Sequence, residues 1–329
     1  MRSRDVIPSE SNLVVIKNTW KLWHDKKMVV LVVYAYHEPC DSVTFFEKNG
    51  LIPKHGVHYY MIQNQLTVPL CEEGKEKASR FSYVTYLKRG NAGRDWGAYS
   101  AALRHWRERH GGKEPIDAAI FLNSTVMGPF VPPAYSDQHW TGAFLKRLTD
   151  DVAMVGSSIN YHSGQPHVQS MAMALDSRAL KLAEERELLW FHPNHPDPEK
   201  QDLIDKHEVG LSRLILDSGY NLDCLMKALS DQDWRSVNEV QRNKFSHHDP
   251  WGDERSWGCT LHPYETMFVK LNRPWSPAVK FALDQLRAWH MDEHPDQVEY
   301  WQKPNRHKTY IYTIVALALF VMILGVMLM

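Results

Sequence analysis

The sequence predicts an α/β fold: a mostly parallel sheet flanked by helices, followed by one C-terminal transmembrane helix. Three observations carry that expectation. Met28–Ala35 (MVVLVVYA) and Ala118–Leu122 (AAIFL) are short, unbroken apolar runs, the pattern of strands buried on both faces. Strand-like runs then alternate with helical periodicities, which favours parallel strands joined by right-handed crossovers. Finally, Thr309–Met329 is an uncharged apolar stretch of 21 residues. At about 1.5 Å per residue it reaches roughly 30 Å, enough to cross a hydrocarbon core.

The elements follow in order. Residues 1–27 form a leader without the apolar centre of a signal peptide, with helical character around Asn12–Trp23. After the first strand, His37-Glu38-Pro39 breaks the run, and Asp41–Lys48 is a helix capped by Asp41 or Ser42. Val57–Ile62 alternates as a second strand, and Tyr83–Leu87 is a third. A turn at Lys88–Arg94 opens a helix from about Asp95 to Arg109. Ala118–Leu122 is the fourth strand, Trp140–Leu148 is helical, Val152–Ser157 is the fifth strand and His167–Leu175 the sixth. Helix follows to about Asn221, and His207–Ser218 is amphipathic, with Val209, Leu211, Leu214 and Ile215 on one face. Asp231–Ser256 is a polar loop or flap, and Pro277–His290 is a last helix. One domain over 28–290, a juxtamembrane linker over 291–308 and a tail anchor over 309–329 complete the organisation.

Composition narrows the function classes. A net charge of -1 and a pI near 7.0 speak against a nucleic-acid binder. Cys40, Cys71, Cys224 and Cys259 form no C-x-x-C pair, so they make neither a zinc pattern nor a disulfide framework, and a reducing compartment is the simpler reading. Asn305-Arg306-His307-Lys308 precede the apolar stretch, so the positive-inside rule puts the soluble domain in the cytosol. Tyr310 and Tyr312 fall at the expected interface; a buried core helix is the alternative for this stretch.

Several segments carry chemistry. Asp117–Phe130 ends an apolar run abruptly in Asn123-Ser124-Thr125 before a Gly128-Pro129 turn. A strand ending in small polar groups places donors at the carboxyl edge of a sheet, where open α/β folds bind ligands. The Asn123-Ser124-Thr125 sequon is therefore read as a site and not as a glycosylation acceptor. Arg89-Gly90-Asn91-Ala92-Gly93-Arg94-Asp95 follows a strand and opens a helix. Glycines there let the backbone approach a ligand, and a helix N-terminus favours an anion. Arg89 and Arg94 can fork onto phosphate oxygens; Asp95 is a helix cap or an acceptor for a ribose or sugar hydroxyl. The spacing is neither a dinucleotide fingerprint nor a P-loop.

Three further groups join them. His167, Gln169 and Ser170 set polar side chains on one rim, suited to a hydroxyl-rich acceptor. Glu208, at the start of the amphipathic helix, is a capping carboxylate or the base that takes a hydroxyl proton. His262 and Lys270 flank an apolar stretch, and Lys270 is either a solvated surface charge or the cation that neutralises a diphosphate.

Taken in order, N-x-G-R-D-x-G-A (Asn91–Ala98), FLNSTVMGPF, VGSSI, HVQSMAMALD and E-x-GLSR-x-IL-x-x-GYN resemble the rhamnan synthesis protein F group and related GT-A-like glycosyltransferases. The match runs over about Met28–Lys270. The resemblance implies a GT-A-like (Rossmann-like) sheet and transfer of a sugar, such as the deoxysugar rhamnose, from a nucleotide-sugar to a glycan or lipid-linked acceptor at a membrane. It implies Glu208 as catalytic base with Asp95 as runner-up. Donor contacts fall to Tyr34, Arg89, Asn91, Gly93, Arg94, Asn123, Ser124 and Lys270, and acceptor contacts to His167, Gln169, Ser170 and His262. Where such enzymes carry an acidic D-x-D at the strand end, this chain has Asn123-Ser124, so no metal ligand is assigned; Mg²⁺ or Mn²⁺ stays open as a cofactor. Two other classes remain: a non-catalytic GT-A-like module that binds a glycan or partner, and a different nucleotide-dependent α/β enzyme.

Overall fold

A computed structural model describes residues 28–69, 76, 79–162, 165–189, 198–230, 232–236, 249–256 and 258–292. The leader, nearly all of the linker and the apolar stretch 309–329 lie outside the described residues. Among the described residues no helix is long and apolar enough to cross a membrane. The chain divides into two units, Met1–Lys280 and Phe281–Met329; in the second, the described part is helical through His290.

The strands in chain order are β1 (Val30–Tyr36), β2 (Val57–Gln63), β3 (Val84–Lys88), β4 (Ala118–Asn123), β5 (Val126–Met127), β6 (Val152–Gly156), β7 (Ile159–His162), β8 (Gln165–Val168), β9 (Ala172–Asp176), β10 (Asn221–Cys224) and β11 (Val269–Lys270). Seven of them make one sheet in the order β10-β6-β9-β4-β1-β2-β3. Every neighbouring pair is parallel except those of β9, which runs antiparallel to both β4 and β6. The mostly parallel sheet expected from the sequence is therefore present, with one reversed strand inside it.

The helices are α1 (Asp41–Asn49), α2 (Arg94–Arg109), α3 (Gly142–Leu145), α4 (Ser177–Glu185), α5 (Gly210–Asp217), α6 (Pro263–Thr266) and α7 (Pro277–His290). Within the first unit, α1 covers one face of the sheet and α2 the other. All seven residues of β1 are buried, because β-branched and aromatic side chains alternate between two covered faces. On one face Tyr34 stacks on Phe46 of α1, with ring centroids 4.4 Å apart; on the other, Phe121 of β4 meets Tyr99 of α2 at 4.7 Å. Trp140 is buried, with its indole N–H donating to the carbonyl of Gly50 at 2.8 Å. Each such aromatic adds about 2–3 kcal/mol of hydrophobic stabilisation.

The structure departs from the sequence reading at several points. The single strand expected over His167–Leu175 is two, β8 and β9, separated by Gln169–Met171. β8 pairs with β7 in a hairpin outside the main sheet, whereas β9 enters it with small Ala172 and Ala174 between β4 and β6. The N-cap of α1 is Cys40, with no side-chain cap bond, so neither Asp41 nor Ser42 plays that role. The expected helix Trp140–Leu148 shortens to α3. β10, the short β5 and β11, and the hairpin strand β7 carry too little apolar pattern to be read from sequence.

The largest change concerns Glu208. No helix begins there. A turn at Lys200–Asp202 runs through a π-helical stretch, Leu203–Val209, straight into α5. Glu208 therefore lies inside a continuous helical segment, without the positive end expected for it. π-helical turns are rare and recur at functional sites, because the extra residue per turn redirects side chains.

Candidate active site

The parallel strands end on a common edge, and a cleft of about 580 Å³ opens there. Tyr36 and His37 enter it at the end of β1, Asn64 just after β2, and Asn123, Ser124 and Thr125 at the end of β4. The register pairs Ala35 with Asn123, and the Ser124 N–H donates to the Ala35 carbonyl at 2.9 Å, so the two central strands end level. The turn after β3 brings Asn91, Arg94 and Asp95 to the same edge.

That turn is built by two polar side chains, buried Asn64 at the cleft and half-buried Arg89 behind it. Asn64 donates from Nδ2 to the Arg94 carbonyl at 2.9 Å and accepts from Arg89 at 2.8 Å. Arg89 also donates to the carbonyls of Ala92 and Arg94. Its guanidinium is thus used to shape the loop, and Arg89 does not line the cleft. Gly93, with φ of 69°, caps α2. Arg94 follows at φ of 50°, a conformation that costs a residue with a Cβ about 1 kcal/mol, and it lies exposed at the cleft.

On the opposite wall stand His167, Gln169 and Ser170, with Glu208 reaching them from the π-helical stretch. Ser170 donates both its backbone N–H, at 2.9 Å, and its hydroxyl to Glu208 Oε2. His167 Nε2 lies 3.5 Å from Oε1. Burial raises the proton affinity of Glu208, but the hydrogen bond and charge of His167 and the two donors of Ser170 outweigh it, and the net pKa is lowered. Asp95 moves the other way. Burial dominates and raises its pKa, the Glu208 charge adds to the rise, and the Asn123 amide opposes it. One cleft therefore holds two carboxylates of divergent proton affinity.

The third wall is cationic. β5 and β11 pair antiparallel, matching Val126 with Lys270, and the Leu271 N–H bonds to the Thr125 carbonyl at 2.9 Å. This small ribbon delivers Lys270 to the end of β4 across a long sequence separation. Asp249 holds the group together: it accepts from Arg273 Nε at 2.9 Å and lies 3.9 Å from Lys270 Nζ. Burial lowers the Lys270 pKa and Arg273 adds to that, while Asp249 and Glu208 oppose it.

The strand end has a defined polarity. The Thr125 N–H donates to Asn123 at 3.1 Å, which identifies the accepting atom as Oδ1 and leaves Nδ2 to donate to Asp95 Oδ2 at 2.8 Å. A donor thus points from the strand end at the Asp95 carboxylate, where a divalent cation would need an oxygen. Among the described residues no three His, Cys, Asp or Glu side chains converge as a cation site. The side chains present do not fit a resident Mg²⁺ or Mn²⁺ at this strand end.

Ten of the residues singled out from the sequence meet in this one cleft: Asn91, Arg94, Asp95, Asn123, Ser124, His167, Gln169, Ser170, Glu208 and Lys270. Four do not line it. Tyr34 is a core residue 1% exposed, with its hydroxyl unbonded among the described residues, since its alternation on β1 points it under α1. Arg89 and Gly93 shape the turn. His262 caps α6 by accepting the Tyr264 N–H at 3.1 Å, and it does so away from the cleft. Sequence reading missed Asn64, Asp249, Arg273 and Trp251. The D-P-W triplet Asp249-Pro250-Trp251, at the end of a polar stretch, was the available signal, but nothing local tells where it docks.

No family profile matches the chain, and no curated protein matches it in sequence. Among solved structures it is similar to a mannosyltransferase from Pyrobaculum calidifontis, PcManGT, in complex with GDP-Man and Mn²⁺, at 12% identity and a TM-score of 0.40, covering 94% of this chain and 88% of that one. It is also similar to a glycosyltransferase involved in glycosylation of the PBCV-1 major capsid, at 11% identity, 80% and 99% coverage and a TM-score of 0.35. A third is the bifunctional glycosyltransferase WbbM, at 9% identity, 74% and 49% coverage and a TM-score of 0.33.

Proposed function

We propose that this protein is a glycosyltransferase that takes a sugar from a nucleotide-sugar donor to a hydroxyl acceptor. The observation that supports it is the division of labour in the cleft. Arg94, Lys270 and Arg273 form a cationic wall for a diphosphate, and Glu208 and Asp95 face the same space. In the reaction the acceptor oxygen bonds to the anomeric carbon as the bond from that carbon to the diphosphate oxygen breaks. Glu208 takes the acceptor hydroxyl proton, and the cationic side chains offset the charge that develops on the departing diphosphate.

Asp95 is the second candidate for the base, favoured by its raised proton affinity but tied to Asn123. The Glu208 carboxylate, 17% exposed, retains an oxygen that faces His167 and the cleft, which supports it as the first. The deoxysugar donor suggested by the motif resemblance, and a membrane-borne acceptor reached by a cytosolic domain anchored through Thr309–Met329, belong to the same proposal.

A thermal-shift screen of the full chain in detergent, against nucleoside diphosphates and nucleotide-sugars, tests it, because a ligand specific to the folded state raises apparent stability. Stabilisation by one nucleotide class and release of that nucleoside diphosphate are expected. Binding without any donor turnover would favour a non-catalytic glycan-binding module, the reading supported by the missing strand-end carboxylates. No response to any nucleotide would overturn the donor assignment.

A further inference from the structure

The Gln169 side chain is held in one orientation by partners that play no part in the reaction above. Its Oε1 accepts the indole N–H of Trp251 at 2.9 Å and the hydroxyl of Ser158 at 2.7 Å. An indole N–H is a donor and never an acceptor, so the atom that meets it is the amide oxygen. The Nε2 end must then point the other way. Gln169 lines the cleft, and its Nε2 makes no hydrogen bond among the described residues. Trp251 and Ser158 are fully buried, and Trp251 also bonds Ser158 at 3.1 Å, so the three side chains close a fixed triangle behind the cleft wall.

Trp251 arrives on the same short segment as Asp249. The Trp251 backbone N–H donates to Asp249 Oδ1 at 3.1 Å, while the other oxygen of Asp249 holds Arg273 and faces Lys270. One tripeptide thus anchors both the cations that face the diphosphate and the amide beside them. A donor diphosphate links the nucleoside on one side to the transferred sugar on the other, and Gln169 stands on the sugar side, since its neighbour Ser170 holds Glu208, the proposed base that acts at the anomeric carbon. We infer that Gln169 Nε2, expected from the motif resemblance to contact the acceptor, is instead a sugar-recognising donor that binds a hydroxyl or ring oxygen of the transferred sugar, and that Trp251 is its positioning residue. This rests on the nucleotide-sugar reading above. A fixed donor discriminates strongly among sugars, because an analogue lacking the matching oxygen leaves a buried N–H unpaired.

The test separates the sugar from the nucleotide. Calorimetry on the full chain gives the ratio of Kd for a nucleoside diphosphate to Kd for its nucleotide-sugar, taken from a panel of UDP-, GDP- and dTDP-sugars. Gln169→Leu and Trp251→Phe are each expected to lower that ratio about tenfold, the worth of one hydrogen bond to a buried group, and to leave nucleoside diphosphate binding unchanged. The double variant should be no worse than Gln169→Leu alone, since Trp251 acts only through Gln169; a purely structural Trp251 would give additive losses. Should Trp251→Phe fail to fold, Ser158→Ala takes its place in the cycle. An unchanged ratio in Gln169→Leu overturns the inference, as do additive losses in the double variant for the role of Trp251. If the wild-type chain binds no nucleoside diphosphate or nucleotide-sugar, the parent reading has failed instead.

Discussion

Ser170 gives both its backbone N–H and its hydroxyl to a single oxygen of Glu208, 38 positions along the chain. The bond pair joins the turn between β8 and β9 to the π-helical stretch, and it favours the charged form of the carboxylate. In the proposed role, a base held ionised and pre-oriented needs no reorganisation when the acceptor arrives.

The first consequence concerns turnover. Glu208→Gln keeps shape and hydrogen-bonding capacity but removes the proton acceptor. A loss of roughly 10²–10⁴-fold in kcat is expected, the usual worth of a general base, with donor Kd changed little. Steady-state turnover and donor calorimetry on the variant check it, and unimpaired turnover would move the role to Asp95.

The two carboxylates predict opposite pH effects on stability. The folded-state pKa of Glu208 lies below its ordinary value of 4.5, so its contribution is present above pH 4.5 and is lost as the pH falls through the folded pKa. Asp95 has a folded pKa above its ordinary 3.8, so its ionisation opposes folding at neutral pH. Asp95→Asn should therefore raise Tm at pH 7 and leave it nearly unchanged at pH 3, while lowering activity. Thermal denaturation at the two pH values decides the matter, and a lower Tm at pH 7 would contradict it.

For the cationic wall, Arg94→Ala and Lys270→Ala should each raise the Kd for a nucleoside diphosphate roughly tenfold to a hundredfold, since a hydrogen bond to a charged group contributes about 1.5–3 kcal/mol. The Arg94 effect should shrink at high salt because that side chain is exposed. Arg89→Ala should instead lower Tm, because its guanidinium serves the loop backbone. Titrations at two ionic strengths separate these outcomes.

Gly97 tests the loop directly. A Cβ added there would lie 2.2 Å from the Ala92 carbonyl oxygen and 2.5 Å from an Arg89 guanidinium nitrogen. Gly97→Ala should cost about 1–3 kcal/mol through overpacking and weaken donor binding as Arg94 and Asp95 shift. A variant with wild-type Tm and donor affinity would show that the turn does not depend on this close approach.

Chelation addresses the strand end. With Asn123 presenting an N–H to Asp95, EDTA treatment is expected to leave nucleoside diphosphate affinity within about twofold, because the proposed phosphate contacts come from cationic side chains. A tenfold or larger loss on chelation, restored by Mn²⁺, would reverse that conclusion.

Much of this was legible along the chain. The continuous apolar runs Met28–Ala35 and Ala118–Leu122 announced the central strands observed at Val30–Tyr36 and Ala118–Asn123, and the helices expected from Asp95 to Arg109 and over Pro277–His290 are observed within a residue of those bounds. Asn91, Arg94, Asp95, Asn123 and Ser124 were recognisable as candidates because they sit where strands stop and polar groups begin, a local signal, whereas the helix start expected at Glu208 is absent. Tyr34 misled because its burial is decided by α1, and His262 because an N-cap and a ligand contact use the same residue type.

By itself, then, the sequence determined the α/β class, the order of the main strands and helices, and the polar strand ends that make the cleft edge, since each depends on the periodicity and chemistry of neighbouring residues. The tertiary structure alone decided that β9 reverses, that Glu208 lies inside a helix facing Ser170, that a β5–β11 ribbon brings Lys270 to Asn123, and that Trp251 orients Gln169. Those are pairings between residues distant in sequence. They are selected when the whole core closes, because burying each polar group requires a partner that only the completed fold brings near.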